Sequence, residues 1–171
     1  MPSPPAFETF AHDADIGVRG RGATLAEAFA GAGRALTAVV TDPASVREVL
    51  SVEIACEAGD PELLLFDWLN ALVFEMATRH VLFGRYEVRV EGALLRARAF
   101  GEPVEVARHH PAVEVKGATW TGLRVAREDS DAVLADRLRA AVAARIPDLG
   151  PWLPLIAIAS DVAMPMTPEV E

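Results

Sequence analysis

The sequence predicts an α+β fold: one domain in which a largely antiparallel sheet packs with two main helices. Three observations carry the prediction. Two helix starts are spelled out, Thr24 with Glu27 and Asp60 with Pro61. A period-two hairpin occupies "RYEVRVEGALLRARAFGE". Strand-like stretches precede, separate and follow the two helices. With 171 residues, 51% of them hydrophobic, the chain is long enough for one sizeable core.

The elements follow in order. "FETFAH" and "IGVRGRG" read as strands flanking "HDAD", the second closing in Gly20 and Gly22. Thr24 and Glu27 form a T-x-x-E capping box, each side chain satisfying a backbone donor of the first turn. Leu25, Phe29, Ala32, Leu36 and Val39 recur at spacings of three or four, which gives this helix one buried face. It should stop near Thr41-Asp42-Pro43, because the residue before a proline is driven out of the α region. From Val46 to Ala58, Val49, Val52, Ile54 and Cys56 separate from Glu48, Glu53 and Glu57 on a period near two.

Asp60 then serves as an N-cap and Pro61 as the first helical residue. What they open, "ELLLFDWLNALVFEMATRH", is apolar nearly all round through Phe74, which places it in the middle of the fold. In the hairpin, Tyr86, Val88 and Val90 alternate with Glu87, Arg89 and Glu91, the chain turns at Glu91-Gly92, and Leu95, Ala97 and Ala99 return. "AVEVKGATWTGLRVA" adds a strand bent at Gly117 and Gly122. Ser130 is expected to cap a last helix through Leu134, Leu138, Val142 and Ile146, stopped by Pro147.

Composition removes several function classes. A net charge of −9 argues against a chain that itself grips phosphate backbones, since that affinity comes from Lys and Arg displacing counterions. It suits cation capture or docking onto a basic partner. The single cysteine, Cys56, rules out an intramolecular disulfide framework, reads as a packed thiol and fits a reducing cytoplasm. "MPSPPAFETF" has neither a positive start nor an unbroken apolar run, and "LLLF" and "PLIAIA" fall well short of the roughly 20 residues of a spanning helix.

"HDADIGV" concentrates ionisable chemistry at a strand: surface decoration, an acid/base site and half of a metal site all account for it. For Asp15 the bland account is a turn aspartate accepting backbone N–H bonds, and Asp42 before Pro43 is a common turn pair. His12 either orients a carboxylate or is satisfied by backbone. Asp67 and Asn70, three apart on the most apolar helix, face the same way and are best read as bonding into a neighbouring loop. His109-His110, beside Arg108 and ahead of Glu114 and Lys116, form either a phosphate or partner contact or a solvated loop. Trp68, Trp120 and Trp152 read as core or interface.

Four motifs in register exceed what composition can tell. "HDADIGV", "TLAEAFAGAGRALTAVVTD", "DPELLLFDWLNALVFEM" and "GEPVEVARHHPAVEVKGATWTGLRV" resemble the archease family, with its H-x-A-D-[IV] start, T-D helix end, L-L-x-x-W-L-N helix and G-E-P…H…V-x-V-K-x-x-T-[YW]-x-G-L-x-V segment. The resemblance covers residues 7 to about 126 and implies an archease-like domain over 1–126. It implies a small non-enzymatic cofactor of an RtcB-type RNA ligase, promoting the ligase's guanylylation and multiple turnover in tRNA splicing and RNA repair. It also implies a divalent cation, Ca²⁺, Mg²⁺ or Mn²⁺, held by acidic residues at one end of the fold. By motif the aspartate of H-x-A-D falls on Asp15 and that of T-D on Asp42, whereas Asp13 occupies a variable position and inherits nothing. His12, His109 and Lys116 are the candidates for orienting those ligands or meeting the partner.

Beyond residue 126 the family pattern stops. Typical members finish on an apolar strand ending in Asp-Ile or Asp-Val whose aspartate is a ligand, whereas here an atypical segment runs over 127–171. Either it is lineage-specific, with "LIAIASDV" supplying the strand and Asp161 its aspartate, or the coding frame has shifted near Glu128. The second is favoured, because Asp-Val after an apolar run arises easily by chance. Two other readings compete with the ligase cofactor: a metal-dependent phosphoesterase using Asp15, Asp42 and His12, and a chaperone-like interaction module without metal chemistry.

Overall fold

A computed structural model describes residues 5–12, 15–120, 123–128, 135–142 and 144–145. Strands β1 (Phe7–His12) and β2 (Asp15–Gly22) form an antiparallel pair whose register runs from Phe7↔Gly20 to His12↔Asp15. Helix α1 (Leu25–Val40) follows, and its capping box forms as expected: Glu27 N donates to Thr24 Oγ1 at 3.2 Å, and Ala23 N donates to Glu27 Oε2 at 2.7 Å. Phe29, Ala32, Leu36 and Val39 are buried, as their spacing predicts, and Leu25 is partly buried. Close approach of helix to sheet depends on Gly20, where a Cβ would fall 2.1 Å from the Ala28 carbonyl oxygen.

Strand β3 (Leu50–Glu57), helix α2 (Pro61–Arg79) and the hairpin β4 (Val81–Glu91) and β5 (Leu94–Pro103) come next. The hairpin turns through Gly92 at φ 61°, a left-handed backbone that glycine adopts without strain. A second sheet is ordered β3-β5-β4, antiparallel throughout, with Val52, Ile54, Leu95, Ala97 and Ala99 facing the core. Asp60 caps α2 by accepting from Leu63 N at 2.8 Å.

α2 is one-sided rather than buried all round, which corrects the expectation from its composition. Leu64, Leu65, Trp68, Leu69, Leu72 and Val73 pack inward, while Phe74 is 62% exposed on the opposite side. Helical spacing decides this, since 64/65, 68/69 and 72/73 form one stripe. Trp68 Nε1 donates to the Phe29 carbonyl at 3.0 Å and ties α2 to α1. Between α1 and β4, Thr37 Oγ1 lies 2.7 Å from the Phe83 carbonyl oxygen and 2.6 Å from the Tyr86 hydroxyl, so the buried polar groups satisfy one another.

A short helix α3 (Val106–His109) and strands β6 (Glu114–Val115) and β7 (Arg124–Glu128) follow, so the expected bent strand is divided into two. β8 (Ala135–Val142) and β9 (Ala144–Arg145) come last; the first sheet is ordered β1-β2-β8-β7, and β9 pairs with β6. The helix expected from Ser130 through Ile146 is therefore corrected over 135–142, where β8 lies antiparallel to both β2 and β7. Leu138 and Val142 are four apart and also an even number apart, so they satisfy a helical and a strand pattern alike, and the free edge of β2 decides. The boundary placed at residue 126 falls inside β7, and the sheet takes in strands on both sides of it.

Candidate functional site

The topology brings two of the motif aspartates to one end of the molecule. Gly22 lies against Glu27 and Ala28, and Gly20 against Ala28 and Ala32, so α1 runs back along β2 in the opposite direction. Sixteen helical residues at about 1.5 Å each and eight strand residues at about 3.3 Å each cover similar distances, roughly 24 and 26 Å. The C-terminal end of α1, and Asp42 with it, thus returns to the end of the sheet where His12 pairs with Asp15.

At that end α1 stops on Thr41, whose N–H still donates to the Thr37 carbonyl. Asp42 caps the 3-10 turn Pro43–Ser45: its Oδ1 accepts from Ala44 N at 3.0 Å, and its carbonyl accepts from Ser45 Oγ at 2.7 Å. The side chain is exposed, and among the described residues its second oxygen accepts no hydrogen bond. β4 makes room for the turn with a register shift between Phe83 and Arg85; a Cβ on Gly84 would sit 2.6 Å from the Pro43 carbonyl oxygen.

The segment from Thr41 to Arg47 is held from the other side by β5 and α3. Thr41 Oγ1 donates to the His109 carbonyl at 2.6 Å, Arg108 Nη1 donates to the Ser45 carbonyl at 2.9 Å, and Ala112 N donates to the Val40 carbonyl at 2.9 Å. Glu102 is the hub. Only 5% exposed, it accepts from Arg47 N at 2.7 Å, from Arg108 Nη2 at 2.6 Å, and from His109 Nε2 at 3.2 Å. His109 Nδ1 accepts from Glu105 N at 2.9 Å, so the ring proton resides on Nε2 and points at Glu102. The Arg108 guanidinium, with these further donors, holds the Glu102 carboxyl down at about 2.

The candidates separate accordingly. Asp42 lies in this network, with His109 one hydrogen bond away through Thr41. The backbones of His12 and Asp15 lie at the adjoining hairpin end, and Asp161 lies outside the described residues, as do the supposed "LIAIASDV" strand and Trp152. His109 is buried at 3% exposure with both ring nitrogens engaged, which corrects both the solvated-loop and the partner-contact readings; its neighbour His110 is exposed. Lys116 is half-buried, and its charge opposes the burial that raises the Glu114 carboxyl.

Asn70 makes the loop contact expected of it, accepting from Ala118 N at 2.8 Å, whereas Asp67 is exposed. Trp68 is core, and Trp120 stacks on Phe66 at 4.4 Å while 51% exposed. Burial pushes the half-buried Cys56 thiol up to about 11, as befits a packed thiol.

Among the described residues no three His, Cys, Asp or Glu side chains converge on a metal-sized site. Asp42 is an exposed carboxylate with an uncommitted oxygen, on a loop anchored at both ends, and a single such group supplies one of the several oxygens a hard cation takes.

A sequence model of the Archease protein family (MTH1598/TM1083) matches residues 7–136. The chain belongs to the archease family. It is 33% identical to "Protein archease" of Pyrococcus furiosus over 125 residues, 71% of this chain and 88% of that protein. It is 37% identical to "Protein archease" of Thermococcus gammatolerans over 123 residues, 70% and 87% of the two chains. The solution structure of Methanobacterium thermoautotrophicum protein 1598 superposes with a TM-score of 0.66 at 29% identity, covering 78% of this chain and 96% of that one.

The motif letters that resemble the archease family acquire a physical meaning here. The T-D pair and the G-E-P…H segment supply Thr41, Glu102 and His109, which hydrogen-bond in series, and Asp42, which joins them through Ser45, whose hydroxyl donates to the Asp42 carbonyl and whose own carbonyl accepts from Arg108. Arg108, read in the sequence only as a neighbour of the two histidines, and the Arg47 backbone, which went unread, complete the network. Neither carries a local signal, because the bonds span 6 and 55 positions and Glu102 breaks the alternation of β5 by following a buried Gly101.

Proposed function

We propose that this chain is the protein cofactor of an RtcB-type RNA ligase, promoting the ligase's self-guanylylation and multiple turnover in tRNA splicing and RNA repair, and is not itself an enzyme. The observation that carries the reading is membership of the archease family across residues 7–136. The anchored Asp42 loop supports it, because a docking end for another protein's active site must present its carboxylate in a fixed place. The net charge of −9 is in keeping with a division of labour in which the partner holds the RNA. Among the described residues no helix is long and apolar enough to cross a membrane, and the cytoplasm, where such a ligase works, is the proposed location.

Asp15 and Asp42, with Asp161 as a third candidate, are the residues proposed to hold a Ca²⁺, Mg²⁺ or Mn²⁺ ion. A divalent cation bound there supplies charge neutralisation for phosphate oxygens brought up by the partner. The chain's own residues do the rest. Asp42 leaves one oxygen without a hydrogen bond among the described residues while Ala44 N–H holds the other, and Thr41, Ser45 and Arg47 anchor the loop through their bonds to β5 and α3.

The test is guanylylation of an RtcB-type ligase with labelled GTP and Mn²⁺, with and without this chain, alongside Asp15→Ala and Asp42→Asn. Faster labelling that both variants lose supports the proposal, and labelling indifferent to the wild-type chain overturns it. Hydrolysis of a generic phosphodiester by the chain alone, lost in Asp15→Ala, selects the phosphoesterase reading instead.

A further inference from the structure

We propose that the free edge of β3 is a docking site for an extended segment of a partner protein that carries Lys or Arg at every second position and adds to the second sheet as a further strand.

Among the described residues β3 pairs with β5 alone, and the register runs unbroken from Leu50↔Gly101 to Glu57↔Leu94. Ala58 N donates to the Ala93 carbonyl at 3.0 Å, so the even-numbered residues of this ladder bond β5. The N–H and C=O groups of Ser51, Glu53, Ala55 and Glu57 therefore point sideways, away from β5, and these residues are exposed. An edge of this kind templates a further strand unless a proline, a bulge or a lysine blunts it. β3 contains neither proline nor lysine, whereas β4 at the opposite edge is broken by its register shift between Phe83 and Arg85.

Side chains choose the occupant. On the outer face Glu53 meets Arg98 of β5 at 2.9 Å, and its side chain is still 79% exposed. Glu57 stands opposite Leu94 and has no ion pair among the described residues. Lys or Arg at alternate positions of an added strand would sit beside both carboxylates, as Arg98 already does on the β5 side of Glu53. The residues between those cations would lie beside Val52, Ile54 and the half-buried Cys56, so small apolar side chains suit them and extend the core-facing side of the sheet. A second copy of this chain is a poor occupant, because β3 paired with β3 sets the Glu53 and Glu57 of both copies along one seam with no cation between them.

The experiment uses the full chain, isotope-labelled for amide spectra, and an eight-residue peptide, the length of β3, in which arginine alternates with valine. Amide chemical shifts and hydrogen exchange follow binding at low salt. The amides of Ser51, Glu53, Ala55 and Glu57 should exchange fast in the free chain and become protected with the peptide bound, while those of Val52 and Ile54 stay protected throughout. A peptide with glutamate in place of arginine should bind at least about tenfold more weakly. The double substitution Glu53→Lys and Glu57→Lys should reverse that preference, whereas Glu91→Lys on β4, the same charge change at the opposite edge, should leave it as it was. Ala55→Pro removes one N–H from the free edge without touching the ladder to β5, so it should weaken the arginine peptide at least about tenfold in a chain that still folds.

Amide shifts that the arginine peptide leaves unchanged overturn the proposal. Edge amides already protected in the free chain overturn it too, and the sedimentation coefficient then tells whether a second copy or another segment of this chain covers β3. Binding that ignores both Ala55→Pro and the charge reversal lies elsewhere on the molecule and likewise overturns it. If Ala55→Pro loses the native circular dichroism, the charge reversal decides by the same criteria.

Discussion

Replacing Glu102 with alanine should be among the most damaging single substitutions at a charged position in the described fold. The carboxylate is 5% exposed and accepts from three donors, so its removal strands the Arg47 N–H, the His109 Nε2–H and one arm of Arg108. Breaking a buried charged pair by removing one partner costs roughly 3–5 kcal/mol. Arg108 remains about a quarter accessible, at 24% side-chain exposure, so water recovers part of its solvation and the lower half of that range is expected. For a chain of this size each kcal/mol moves the melting midpoint by roughly 2–4 °C, so a fall of about 6–16 °C should appear in thermal unfolding followed by circular dichroism.

The pH dependence sharpens the prediction. Because the folded carboxyl is held near 2 against an ordinary 4.5, its stabilisation is complete above pH 4.5 and is lost as pH falls through about 2. The gap between wild type and Glu102→Ala should therefore be constant from neutrality to about pH 5 and close below it. A loss under about 1 kcal/mol, the scale of an exposed pair such as Glu53–Arg98, would refute the reasoning.

Three further outcomes are expected. Thr24→Ala removes the N-cap acceptor of α1 and should cost about 1 kcal/mol in urea unfolding. Gly20→Ala drives a Cβ to within 2.1 Å of the Ala28 carbonyl oxygen, and should destabilise by at least the ~1–3 kcal/mol of an overpacked core, read as a lowered denaturation midpoint. Cys56, its thiol raised from 9.0 to about 11 by burial, should react with Ellman's reagent at pH 8 about 10-fold more slowly in the folded chain than after denaturation in guanidinium, the smaller thiolate fraction being partly offset by the greater nucleophilicity of a higher-pKa thiolate; equal rates would contradict its burial.

How far the sequence carries the structure depends on the range of the forces involved. α1 and the β4–β5 hairpin are legible because their signals are local: a capping box, a proline stop, an alternation and a glycine at the turn. α2 is legible as a helix but not in its placement, since composition cannot say which side of an apolar cylinder the sheet will cover. Phe74, exposed, and Phe66, spent on Trp120, lie off the stripe that does the packing. β8 illustrates tertiary context overriding local preference: an alanine-rich stretch with apolar residues four apart joins the edge of β2.

The site divides in the same way. Asp42 is legible because helix end, aspartate and proline are contiguous, and the topology then brings it to the end of the sheet where Asp15 begins β2. The network around Glu102 is not legible, because its partners come from the loop after α1 and from α3, and only the folded chain makes them neighbours. His109 shows the consequence, as a histidine in a polar run is buried by a carboxylate seven residues earlier and a backbone N–H four residues earlier.

The most direct test of the central claim is the yield of joined RNA per ligase molecule, measured with an RtcB-type ligase, GTP and Mn²⁺ and with RNA ends in large excess. The account predicts that ligation exceeds one product per ligase only when this chain is present, and that Asp42→Asn returns it to one or fewer. Yield that is the same with and without the wild-type chain would contradict the account.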